Sequence, residues 1–109
     1  MRATVLALMV GLAIPAAAAA QDAKVAKGAE VYAAQKCGMC HSIGDKGNKK
    51  GPLDGVGSKL PAADIKAWMT DAKGMTAKTK ATRKPDMKSY TLPGDELDAL
   101  VAYMMSLKK

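Results

Sequence analysis

The chain has 109 residues, a net charge of +7, two Cys, one His, one Trp, three Tyr and no Phe. That length holds one domain, and two Cys with one His fall short of the roughly four ligands that close a structural zinc site. Few aromatics interleave the Lys residues, which argues against a nucleic-acid surface and leaves an acidic protein as the partner for the basic excess.

Residues 1–20 read as a segment removed before folding. Arg2 gives a minimal basic start, Ala3 to Ile14 is apolar, Pro15 breaks the run, and Ala16 to Ala20 supplies small residues before Gln21. This is the pattern of a secretory signal peptide with an A-x-A-type site, cleaved after Ala20. An uncleaved membrane anchor is the alternative, since Ala3 to Gln21 is uncharged and just long enough to span a bilayer. Losing Arg2 leaves 16 basic residues against 10 acidic ones, a net +6 for the domain at 21–109.

Gln21 to Lys36 is predicted to be a helix capped by Asp22, with Val25, Gly28, Ala29, Tyr32 and Ala33 on one stripe. Gly costs about 1 kcal/mol against Ala inside a helix. Gly28 is therefore either a close-approach point for another backbone or a tolerated Gly in an amphipathic helix.

The stretch Cys37-Gly38-Met39-Cys40-His41 follows. C-x-x-C-H is the attachment sequence of a c-type haem. Two thiols three positions apart on one turn can each add to a vinyl group of one porphyrin. The His that follows is then placed to bind the iron as proximal ligand. A redox dithiol would sit beside a βαβ pattern, and no Val/Ile-rich run surrounds Cys37. A surface disulfide or two unused thiols is the plain alternative. Export fits haem attachment, because thiols and haem meet outside the cytoplasm.

Ile43 to Leu60 reads as loop, crowded with Gly44, Gly47, Gly51, Gly55 and Gly57 and holding Pro52. It lacks the G-x-x-x-x-G-K-[ST] spacing of a phosphate loop, and wrapping the proximal side of the haem suits it better. Pro61 starts a short helix with Ile65, Trp68 and Met69 on one face. Trp68, the only Trp, is expected as a core anchor beside the haem. Residues 70–91, interrupted by Gly74 and Pro85, show no clean periodicity. Six basic residues (Lys73, Lys78, Lys80, Arg83, Lys84 and Lys88) lie around Met87 with Asp86 alone opposing them, which makes this stretch a docking candidate. Leu92 to Lys108 is the last predicted helix, with Leu97, Leu100, Val101, Met104 and Leu107 as its stripe and Pro93 in its first turn. Asp95 and Glu96 sit where a helix start favours acids, so they are not a paired catalytic acid and base. No repeat and no strand is expected, and no catalytic residue.

This order resembles a small class I cytochrome c of the bacterial periplasmic type over essentially all of residues 21–109. The residues that carry the resemblance are Gly28 and Tyr32, Cys37 to His41, Gly51-Pro52-Leu53, Trp68, Met87, and Leu92 through Leu107. It implies an all-α cytochrome c fold, three to four helices wrapped around one covalently bound haem c with iron. It also implies that the first and last helices cross at a close contact, Gly28 and Tyr32 meeting Leu100 and Tyr103, and that the Pro52 carbonyl accepts from the ring N–H of His41.

The distal iron ligand is sought among six Met residues. Met39 lies in the attachment turn and cannot reach the opposite face. Met104 and Met105 belong to the last helix, and Met69 to a core-facing stripe. Met75 and Met87 remain, both expected in loop. The family's spacing of five residues before the last helix favours Met87, with Met75 as runner-up. Lys88 follows Met87 where many relatives have Pro, and Pro85 precedes it, so the ligand loop is shaped differently.

The resemblance implies a single-electron carrier, not an enzyme, shuttling electrons between periplasmic or membrane-bound redox partners. The carrier is expected as a periplasmic monomer, without a membrane span in the mature chain, docking acidic faces of its partners through Lys residues near the haem edge. A haem subunit of a larger periplasmic oxidoreductase is one alternative. A gas-binding or sensing haem protein with an absent or labile Met ligand is another.

Overall fold

The computed structural model describes residue 11 and residues 15–109. Helix α1 is Ala16–Ala34. It begins five residues before the expected start because Ala16 to Ala20 are the strongest helix formers and Pro15 stands just before them. Asp22 therefore lies inside the helix and Pro15 occupies the cap position, correcting the predicted Asp22 cap. Most of the expected signal peptide, residues 1–10 and 12–14, lies outside the described residues; Ala16 to Ala20 are exposed. Among the described residues no helix is long and apolar enough to cross a membrane.

A single 3-10 turn at Cys37–Met39 follows α1, entered through Lys36 in the left-handed region at φ 57°. Strands β1 (Ser42–Ile43) and β2 (Lys46–Gly47) then pair antiparallel, Ser42 opposite Gly47. These strands correct the expectation of none; two residues each is too short for period-2 alternation to show. Helix α2 (Val56–Lys59) also falls in the expected loop.

Helices α3 (Ala62–Thr70) and α4 (Ala72–Thr79) meet at Asp71, which ends one and caps the other. The Asp71 carboxylate accepts the backbone N–H of Gly74 at 3.2 Å. A Cβ on Gly74 would collide with that carboxylate, so this Gly serves the cap rather than breaking the segment. Helix α4 is thus a correction to the unstructured reading of residues 70–91. With α2 it makes five helices among the described residues, against the three to four expected. Helix α5 is Gly94–Ser106, with Pro93 at its N-cap position and Leu107 at its C-cap. It is shorter at both ends than the predicted Leu92 to Lys108.

The fold is held by α1 crossing α5. Gly28 is buried, and a Cβ there would collide with the Ala99 carbonyl oxygen and lie 2.6 Å from Tyr103 Cβ. One turn on, the Tyr32 and Tyr103 rings meet edge to face at 5.8 Å, a geometry aromatic pairs favour. The core gathers Val31, Ile65, Met69, Leu97, Leu100 and Met104. Each such aliphatic side chain gains about 1.5–3 kcal/mol from burial. On α1 the buried positions are Gly28 and Val31, while Ala33 is exposed, so the inward stripe is rotated from the predicted one. On α5, Ala99 and Ala102 are buried and Val101 only half-buried, because the crossing selects small residues where the backbones approach.

Candidate functional site

The end of α1 delivers the attachment motif. After Lys36 turns the chain, the Cys40 N–H donates to the Cys37 carbonyl at 3.1 Å and the His41 N–H to the same oxygen at 2.9 Å. This single turn places Cys37, Cys40 and His41 on the wall of one cavity of about 450 Å³. Both thiols are free, and burial pushes the Cys37 thiol up.

The glycine-rich segment then fixes the imidazole. His41 Nδ1–H donates to the Gly51 carbonyl oxygen at 3.0 Å. A carbonyl only accepts, so the neutral ring carries its proton on Nδ1 and its lone pair on Nε2. Burial lowers the pKa of His41, the bond to Gly51 opposes this, and the Arg83 charge adds to the lowering. The ring is thus a neutral donor oriented by its other nitrogen.

The acceptor is Gly51, not the expected Pro52. The Gly51 carbonyl also takes the Ser42 N–H at 3.1 Å, and the Leu53 N–H donates to the Ser42 carbonyl at 2.8 Å. That parallel bridge between Ser42 and Pro52 turns the Gly51 carbonyl toward His41. Pro52 itself is exposed and is not part of the cavity wall, which corrects its expected place in the haem surroundings. Asn48 braces the same turn, its N–H donating to Gly38 at 3.0 Å and to His41 at 2.9 Å.

Met87 reaches this cavity from the segment between α4 and α5, half-buried. Two bonds pin that segment: the Tyr90 N–H donates to the Met69 carbonyl at 2.7 Å, and the Ala72 N–H donates to Ser89 Oγ at 2.9 Å. Met75 is not in loop as expected. It is buried in α4 and absent from the cavity wall. Met39 is 71% exposed. Met69 and Met104 do line the cavity, but both are also members of the packed core.

Trp68 lines the cavity from α3, half-buried. Ile65, Leu60, Val56, Leu53 and Leu100 complete an apolar wall. Tyr90 and Arg83 also line the cavity, and Gly51 accepts from His41, roles that no motif in the sequence marks. Tyr90 carried a signal, an aromatic three residues after Met87 in an aromatic-poor chain. The Tyr32 hydroxyl is buried without a partner among the described residues, and burial pushes its pKa up to about 12.

A c-type haem fits this donor set. Two thiols for covalent attachment, one imidazole with its lone pair free and the thioether of Met87, which stands outside the packed core, share an apolar cavity. Among the described residues no group of three His, Cys, Asp or Glu is arranged for a metal ion, so a multi-residue cation site is not the competing reading.

A family model described as Cytochrome c matches residues 25–108. Comparison with curated proteins and with solved structures gave no match. The matched span takes in the attachment turn, the cavity wall and all of α5, and the chain belongs to the cytochrome c family, whose members hold haem c and its iron covalently.

Proposed function

We propose that this protein is a periplasmic single-electron carrier with one haem held by thioethers from Cys37 and Cys40 and ligated by His41 and Met87. The observation that carries this reading is that Met87, and not Met75, shares the cavity with Cys37, Cys40 and His41. The haem supplies a ferric/ferrous couple, and thioether ligation favours the reduced form. The chain's own residues do the rest. Gly51 orients His41 and makes it a stronger donor. Ser89 and Tyr90 hold the Met87 segment on α3 and α4. Trp68 and the aliphatic wall exclude water.

Residues 1–20 act in this reading as the export signal, so that the mature chain begins at Gln21 within α1. Lys73 and Lys78 on α4, and Lys80, Lys84 and Lys88 on the segment that brings Met87 to the cavity, are exposed. They steer encounter with an acidic redox partner through a small, transient interface that weakens with ionic strength. The mature protein acts as a monomer.

Carbon monoxide tests the closed coordination. The reduced protein at neutral pH is expected not to bind it, because both axial positions are filled. Stoichiometric binding would overturn the carrier reading in favour of a gas-binding or sensing protein.

A further inference from the structure

The charged part of the cavity wall is uneven. Three basic side chains, Lys36, Arg83 and Lys88, and one carboxylate, Asp86, contribute to it. Asp86 is taken by Lys84 at 2.8 Å. Lys36 directly precedes Cys37. Lys88 lies over the Tyr90 ring at 5.0 Å, and its charge acts on Cys37. Arg83 is placed differently. Its guanidinium packs over Gly51, in the space a Cβ there would enter, and its charge acts on His41 rather than on Cys37. Among the described residues it has no carboxylate partner.

A haem brings two propionate carboxylates, on the edge of the ring away from the vinyl positions that the thiols take. A carboxylate entering an apolar cavity is costly unless a charged donor meets it. Lys36 and Lys88 stand at the thiol end. Arg83 is the cation beside His41, and its planar fork matches a carboxylate with two parallel bonds.

We propose that Arg83 holds a haem propionate, so that one side chain anchors the carboxylate edge of the ring and packs over the Gly51 backbone that orients His41. The proposal rests on the haem site described above.

The test compares the purified haem-loaded protein with Arg83→Gln and Arg83→Lys by resonance Raman of the propionate bending mode and by midpoint potential. Lys78→Gln, an exposed α4 residue away from the cavity wall, is the control for losing one positive charge. The propionate band is expected to shift in both Arg83 variants and not in the control. The potential of Arg83→Gln is expected to fall below that of the control, because losing a cation near His41 favours the ferric state of a haem bound there. An unshifted band in either Arg83 variant that keeps its haem would overturn the proposal. If Arg83→Gln does not fold, Arg83→Lys decides, since it keeps the charge and loses only the fork. Absence of covalent haem from the unmutated protein would instead overturn the haem site itself.

Discussion

His41 Nδ1–H donates to the Gly51 carbonyl oxygen at 3.0 Å, and Gly51 sits so close behind the attachment turn that a Cβ on it would collide with the Cys40 carbonyl oxygen and the Arg83 guanidinium. The same glycine therefore orients the proximal ligand and lets the loop approach it. The Arg83 end is flexible, but the Cys40 carbonyl belongs to the turn that carries both thiols and cannot move alone.

Gly51→Ala is expected to destabilise the haem-loaded protein by about 1–3 kcal/mol, the usual cost of overpacking. The midpoint potential is expected to move with it, because displacing the Gly51 carbonyl weakens the bond that makes His41 a stronger donor. Denaturant unfolding and a redox titration measure the two effects. A variant as stable as the parent would show that the loop has room behind the turn.

The α1–α5 crossing predicts an opposition between two glycines. Ala gains about 1 kcal/mol over Gly in a helix interior. At Gly28 that gain is outweighed, because the added methyl meets the Ala99 carbonyl oxygen, which is backbone. Gly28→Ala is therefore expected to lower stability. Gly94, with nothing within 4 Å of an added Cβ, is the counterpart: Gly94→Ala is expected to be neutral or mildly stabilising. Thermal unfolding of the two variants side by side decides it, and a more stable Gly28→Ala would remove close approach as the reason for that residue.

The same crossing carries an exposed ion pair, Lys27 Nζ to Asp95 at 2.5 Å. The hydrogen bond from Lys27 lowers the pKa of Asp95, and the same bond raises that of Lys27. A depressed carboxylate pKa gives stability that is present above the unfolded value and lost as pH falls through the folded one. Asp95→Asn is therefore expected to be slightly less stable than the parent at pH 7, with the difference gone at pH 2 and reduced in 1 M salt. A difference that persists at pH 2 would point to the helix start rather than to the ion pair.

What could be read from the sequence follows how strictly chemistry fixes spacing. Thioether attachment and iron ligation leave little freedom between Cys37 and His41, so five letters sufficed to propose the motif, and the structure brings all three side chains to one cavity. The Gly28 contact needed the family resemblance, since an inward Gly on its own has two readings. Helix α4 was hidden because Gly74 looks like a break, whereas it makes room for the Asp71 cap. That helix withdraws Met75 into the core and leaves Met87 at the cavity, so one missed cap also blurred the choice of ligand. The one-residue error between Pro52 and Gly51 arises from the bridge to Ser42, a pairing between segments that no local pattern encodes. Arg83 was read only as part of a basic run, because which of six cations faces a cavity depends on the path of the chain.

The most direct test of the account is the optical spectrum of the exported protein, oxidised and reduced, beside Met87→Ala. The account predicts a low-spin c-type spectrum with a weak red band from Met sulfur to ferric iron, lost in the variant while the covalent haem remains. A red band unchanged in Met87→Ala would contradict it and move the distal ligand elsewhere in the chain, and a high-spin spectrum in the unmutated protein would contradict the carrier itself.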